Sequence, residues 1–321
     1  MCGIVGFLDK RGGTDRPVGR TLLAMLDALG CRGPDSTGVA IFGPARGLVA
    51  QVKLPEGVDA PVAASAVTDA LRGAAPVLGH EVTAAYLRLE LDGSADVASL
   101  EQSLLAAVPG TEVVSLGQRL RIVQQVGSPR QIEQSYGLAH WTGTHGIGHT
   151  RLSTESRVDL SHSQPFWAHG VPDLATVHNG HITNYHKLRR HYEQRGERFF
   201  TENDSEVIGV YLRDRLAAGL SLDDALRSSL DDFDGSFSYL AASGDRLAYV
   251  RDRFGFKPLV VAETDEFVAI ATEEIALRKA LGHDFVAREP APGTMRVWTV
   301  SGAPAEAGRS TGVGDSAART V

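Results

Sequence analysis

The period of the apolar positions changes repeatedly along the first part of the chain. Ile4, Val5, Phe7 and Leu8 form a short, nearly continuous apolar run, the pattern of a strand buried on both faces. The Gly-rich stretch DKRGGTDRP reads as a loop. In VGRTLLAMLDALG, Leu22, Leu23, Met25, Leu26 and Leu29 recur at helical spacing, and Gly30 is placed as a stop. CRGPDSTG then reads as a turn and VAIFG as the next strand.

From about Gln51 to Tyr136 the character changes. VAASAVTDALRG is an Ala-rich helix, TAAYLRLEL alternates like a strand, and DVASLEQSLLAAVPG is helical. EVVSLGQRLRIVQQVG reads as two strands around a glycine turn. This alternation predicts a small α/β insertion at about 51–136 with little polar chemistry, a structural or interface module. Farther on, a polar helix is expected over about 184–194. DSEVIGVYLRDRLAAG and SLDDALRSSLDDF predict two more, the second with Ser221 as N-cap and aspartates in its first turn. The stretch from GSFSYL to ATEE is mainly short alternating strands joined by SGD and ETD turns, which argues for antiparallel sheet. The tail from about Ser301 has the composition of a disordered segment.

Composition narrows the partners. A chain of 321 residues with 43% hydrophobic and 22% charged residues is ordinary for a globular protein, and a net charge of −7 offers no basic face to nucleic acid. No apolar run approaches the roughly 20 residues of a membrane helix, and the start lacks the pattern of a signal peptide. No membrane association and a cytoplasmic location are therefore expected. Two cysteines, Cys2 and Cys31, make neither a disulfide framework nor a four-cysteine metal site, so the expectation is free thiols and no metal. Cys31 is read as a small buried apolar residue.

Cys2 changes the picture. Removal of Met1 would leave it with an α-amine of pKa ~8 beside a thiol of pKa ~8.5, so amine and nucleophile could exchange a proton near neutral pH without a histidine. Other polar stretches have structural readings of their own. HNG (His178 to Gly180) is a strong hairpin-turn signal, Arg151 in GHTRLST suits a structural ion pair, and Asp204 in NDSEV suits a helix cap.

Taken in order, MCGIVG, RGPDSTG, GHTRLST, HNG, NDSEV and DGSFS closely resemble the class II glutamine amidotransferase family. The resemblance covers positions 1 to about 50 and 145 to about 300. It implies an α+β fold, a four-layer αββα sandwich of two antiparallel sheets of the N-terminal nucleophile hydrolase type. A type-2 amidotransferase domain would then span 1–300, with the α/β insertion inside it and the tail at 301–321. The resemblance also assigns roles. Cys2 would be the nucleophile, with Asn179 and the Gly180 N–H holding the oxyanion and Arg32 near the thiol. Arg151 and Thr154 would bind the α-carboxylate of L-glutamine, and Asp204 its α-ammonium. RDRFGFKPL (Arg251 to Leu259) matches a late family stretch and is read as structural. Leu152, where many relatives carry an aromatic, and Glu155 depart from the family pattern.

So little chain follows the expected domain that either an ammonia acceptor lies on another polypeptide or the protein is a free-standing hydrolase. The pattern most resembles the stand-alone subunit related to glutamate synthase, of the N-methylglutamate synthase small-subunit type. That implies glutamate-synthase-like partners carrying flavin and iron–sulfur groups, no cofactor on this chain, and leaves room for a homo-oligomer. Two other readings stay open: a non-catalytic glutamine-sensing or scaffold subunit, and an N-terminal-nucleophile amidohydrolase acting on another amide.

Overall fold

Strand β1 (Gly3–Asp9) is buried along its whole length in the computed structural model, which describes residues 2–45, 47–55, 57–93, 96–152 and 159–300. Met1, Thr154, Glu155 and the tail from Ser301 lie outside these residues. Both faces of β1 are apolar because it lies between two layers. Ile4 and Leu8 face a second sheet, whereas Val5 and Phe7 face helices.

After β1 come α1 (Val18–Ala28), β2 (Ser36–Phe42) and β3 (Leu48–Lys53). Next are α2 (Ala60–Ala70), the hairpin β4 (Val77–Thr83) and β5 (Tyr86–Leu91), α3 (Val97–Ala107) and β6 (Glu112–Gly117). Strands β7 (Leu120–Val126) and β8 (His145–Arg151) flank α4 (Pro129–Tyr136). Then follow β9 (Phe166–Trp167), β10 (Ala175–Ile182), α5 (Tyr185–Gln194), α6 (Glu206–Ala217) and α7 (Leu222–Asp232). The remainder is β11 (Gly235–Ala242), β12 (Arg246–Arg251), β13 (Val260–Glu263), β14 (Phe267–Ala271), α8 (Glu274–Leu281), β15 (Ala287–Arg288) and β16 (Thr294–Thr299).

A seven-stranded antiparallel sheet, ordered β15-β13-β14-β1-β8-β2-β7, faces a five-stranded one, ordered β16-β12-β11-β10-β9. Ile4, Leu8, Ile147, Val177, Leu240 and Leu247 fill the space between them. Helices α1, α4 and α8 cover the outer face of the larger sheet. Helices α5, α6 and α7 cover that of the smaller. This is the expected four-layer αββα sandwich. Glycines on β8 let α1 lie close: a Cβ at Gly146 would come within 2.8 Å of Leu22 Cδ1, and one at Gly148 within 3.0 Å of Leu26 Cδ1. Ser221 caps α7 as its position suggests, its Oγ accepting the Asp224 N–H at 3.1 Å.

The insertion differs from expectation in both extent and type. Its four-stranded sheet, β4-β5-β3-β6, is wholly antiparallel and spans 48–117, with α2 and α3 capped by Asp59 and Asp96. Strand β7 and α4, which fall inside the expected 51–136 segment, belong to the main sandwich: β7 pairs with β2, and α4 packs on α1 and β7. The two strands expected around the glycine turn thus enter different sheets. The turn between them is held by the Asp173 carboxylate, which accepts the N–H groups of Gln118, Arg119 and Leu120 at 2.8–3.0 Å.

Candidate active site

Strand alternation brings three of the expected groups to one end of the inter-sheet space. On β1, Ile4 and Leu8 face inward, so Cys2, two residues before Ile4, faces the same way. On β8, Ile147 faces inward and so do His149 and Arg151; on β10, Val177 and therefore Asn179 do likewise. Gly3 pairs with Thr150 in the antiparallel register, which sets Cys2 beside Arg151. The half-buried thiol lies 3.8 Å from the Leu152 carbonyl.

Arg151 is 4% exposed. Burial pulls it below the ordinary guanidinium value, and the charges of Cys2, Asp159 and Asp35 oppose that shift. Asn179 is also buried, and its Nδ2 has no hydrogen-bond partner among the described residues. An unpaired buried amide costs about 1–3 kcal/mol, so such groups are few in folded proteins and call for an explanation. The turn reading of HNG fails here. Asn179 and Gly180 lie within β10, paired with Ser238 and Phe237 of β11. Gly180 has φ of 132°, and a Cβ there would collide with the Ser236 carbonyl oxygen and Phe237 Cα, so only glycine fits.

Asp204 does not cap α6 either. The N-cap is Ser205, while Asp204 turns to β10, where its Oδ2 accepts the Ile182 N–H at 2.9 Å. Its Oδ1 lies 3.7 Å from His178 Nδ1. His178 and its neighbours form a hydrogen-bonded group that sequence reasoning missed. His178 Nδ1 meets Ser205 Oγ at 2.8 Å, Gln164 Nε2 donates to the same hydroxyl at 2.9 Å, and Gln164 Oε1 accepts the His178 N–H at 2.6 Å. Burial lowers the His178 pKa, with Asp204 opposing. The only sequence signal for this group was the position of His178 directly before Asn-Gly.

Arg32, expected near the thiol, makes an ion pair. Its Nη1 is paired with Glu273, a residue not anticipated. The pair flanks the start of β1: Thr272, next to Glu273, accepts the Ile4 N–H on Oγ1 at 2.8 Å and donates its own N–H to Ile4 O at 3.0 Å. Cys31 is exposed in the turn after α1, which corrects the expectation that it is buried. In RDRFGFKPL, Arg251 is buried and bonded to the Gly255 carbonyl at 2.6 Å. Asp252 accepts the N–H groups of Phe237, Phe254 and Gly255, a structural arrangement.

Residues 149–279 match the family model described as a glutamine amidotransferase domain. A putative glutamine amidotransferase of Methanothermobacter thermautotrophicus is 37% identical over 309 residues, covering 94% of this chain and 100% of that protein. The chain belongs to the class II glutamine amidotransferase family. The glutamine amidotransferase-like protein GlxB of Rhizobium meliloti is 35% identical, over 93% of this chain and 98% of its own length. Among solved structures, the glutamine phosphoribosylpyrophosphate amidotransferase of B. subtilis superposes with a TM-score of 0.60 at 18% identity. That match covers 92% of this chain and 47% of the larger enzyme, and it shows the N-terminal nucleophile hydrolase fold.

The candidate site thus joins a thiol and a buried cation on one sheet to an unpaired amide and a carboxylate on the side of the other. Such a set can hold a zwitterionic amino acid by both charges and present a nucleophile and an oxyanion donor to its side chain. Among the described residues no cluster of three or more His, Cys, Asp or Glu could hold a metal ion, and no helix is long and apolar enough to cross a membrane.

Proposed function

We propose that the chain hydrolyses L-glutamine to L-glutamate and ammonia through a γ-glutamyl thioester on Cys2. The observation that carries this is the unpaired Nδ2 of buried Asn179, on the inner face of β10 at the end of the sandwich where Cys2 and Arg151 stand. In this reading the Cys2 thiolate adds to the side-chain carboxamide carbon. The oxyanion is met by Asn179 Nδ2 and the Gly180 N–H. The C–N bond then breaks, and the α-ammonium of Cys2, exposed by loss of Met1, gives its proton to the departing nitrogen. Water cleaves the thioester to release glutamate and restore the thiol.

Arg151 takes the α-carboxylate of glutamine and Asp204 its α-ammonium. Thr154, the second carboxylate ligand implied by the family pattern, lies outside the described residues. Arg32 acts through its pair with Glu273, holding the start of β1.

The ammonia passes to a separate synthase, glutamate-synthase-like or of the N-methylglutamate synthase kind. Support comes from the two relatives matched over 98–100% of their own length, which are about as long as this chain. Amidophosphoribosyltransferases are matched over only about a third of theirs, as with 34% for that of Methanocaldococcus jannaschii. Flavin and iron–sulfur groups would belong to the partners, this chain holding no cofactor, and the complex would work in the cytoplasm. The test is Cys2→Ala: glutamine hydrolysis is expected to fall to the assay background with thermal unfolding unchanged, and retained hydrolysis overturns the reading.

A further inference from the structure

Residues 159–165 touch both the inserted module and the proposed glutamine site. On the module's side, Lys53, the last residue of β3, is 7% exposed. Its Nζ donates to Ser161 Oγ at 2.5 Å and to Glu112 Oε1, on β6, at 3.0 Å. Ser161 Oγ in turn donates to Glu112 Oε1 at 2.8 Å. A lysine so buried needs such partners, because an unpaired charge there would be strongly unfavourable.

On the other side the same segment approaches the residues assigned above to the two charged ends of glutamine. Asp159 Oδ1 accepts the N–H and the Nδ1 of His162 at 2.9 and 2.7 Å, fixing its carboxylate in a turn, and its charge acts on Arg151. Ser163 O accepts from Gln124 Nε2 at 2.6 Å, tying the segment to β7. Gln164 bridges the His178 N–H and Ser205 Oγ, next to Asp204. The Gln164 backbone lies directly on β2 at Gly38, where a Cβ would collide with its carbonyl oxygen. Residues 159–165 therefore form a strap running from the inserted sheet to the neighbours of the carboxylate-binding arginine and of the ammonium-binding aspartate.

We propose that Lys53 is a positioning residue through which the inserted module holds this strap and thereby sets the affinity of the site for glutamine. The inference rests on the glutaminase reading above. It gives the insertion a task beyond packing, since a change in the module, such as a partner docking on it, would be transmitted through Lys53 and Ser161.

Lys53→Met keeps the apolar stem and removes the buried charge, leaving Glu112, whose side chain is 33% exposed, to water. The expected result is a glutamine KM raised by about tenfold with kcat within about twofold, the signature of lost ground-state positioning. Lys53→Arg should restore most of the affinity. Ser161→Ala, which leaves the Lys53–Glu112 pair in place, should raise KM in the same sense if Lys53→Met fails to fold. A second readout is alkylation of Cys2: in Lys53→Met an electrophilic α-amino-acid analogue of glutamine should label it about tenfold more slowly, while iodoacetamide labels it at the wild-type rate. An unchanged KM in both variants, or equal slowing of the two alkylations, overturns the proposal. Wild-type Cys2 that reacts with iodoacetamide but never with the glutamine analogue overturns the glutaminase reading itself, and the proposal with it.

Discussion

His145 and His149 lie four residues apart on the inner face of β8 and are both fully buried, yet their surroundings are opposite in kind. His145 is satisfied: Nδ1 meets Thr144 Oγ1 at 2.8 Å, Nε2 meets the Ser243 carbonyl at 2.6 Å, and the ring stacks on Phe42 at 4.3 Å. At His149 neither ring nitrogen makes a hydrogen bond of ordinary geometry among the described residues, and the same holds for His178 Nε2 and Asn179 Nδ2. His145 is satisfied as structure; around His149 and Asn179, buried polar atoms stay unpaired. Folded proteins accept that cost mainly where the groups serve a ligand or a reaction.

The largest expected effect that could break this contrast is at Asn179. Asn179→Ala should lower kcat for glutamine hydrolysis by about 10²–10³-fold, the range for loss of one oxyanion donor, without destabilising the fold, since Nδ2 has no bond to lose. Steady-state kinetics beside thermal unfolding check both halves. A stability loss as large as the kinetic one would make Asn179 a structural residue.

Asp204→Asn comes next, with a glutamine KM raised on the order of 10–100-fold and a smaller change in kcat, as expected for neutralising one partner of a partly buried charge pair. Competition with glutamine analogues lacking the α-amine sharpens the test, because the variant should bind them about as well as the wild type does. The same experiment separates the ammonium site from the structural role that the Ile182 N–H bond alone would give Asp204.

The pair of histidines carries the smaller stability effects. His145→Leu should cost about 1–3 kcal/mol by leaving the Ser243 carbonyl unpaired, whereas His149→Leu should stay within about 1 kcal/mol of wild type. Burial lowers both pKa values, from 6.5 to about 4 for His145 and to about 3 for His149. Both folded values lie below the unfolded one, so the unfolded chain binds more protons between them. Stability is complete above about pH 6.5 and is lost as pH falls toward the folded values. Unfolding midpoints measured from pH 7 to pH 4 should decline, and less steeply in either Leu variant.

Much of the fold and of the candidate site was legible in the residues, and the illegible part has a physical reason. The buried strand at Ile4–Leu8, the helix with Leu22 and Leu26 inward, and the Ser221 cap are local patterns, and local patterns survive into the fold. The ordered motifs brought out Cys2, Arg151, Asn179 and Asp204, but period alone could not tell a strand interior from a hairpin turn at Asn179-Gly180. Only pairing with β11 decides that. Nor could it say that β6 and β7 part into different sheets, because both alternate alike and the choice is made by long-range partners. Strand β4 went unnoticed, being largely exposed, without clean alternation, glycine-containing and at a sheet edge. Glu273, Gln164 and Ser205 were invisible because each matters only through a contact made far along the chain.

In the glutaminase proposed above, the end with Cys2 and Asn179 is a catalytic centre built on the amine and thiol of Cys2. Mass spectrometry of the N-terminal peptide, from protein acid-quenched during glutamine turnover, tests it most directly. The expected result is a peptide that begins at Cys2 and carries one glutamyl group on its sulfur. Glutamine turnover by protein that keeps Met1, with an unmodified thiol throughout, would contradict it.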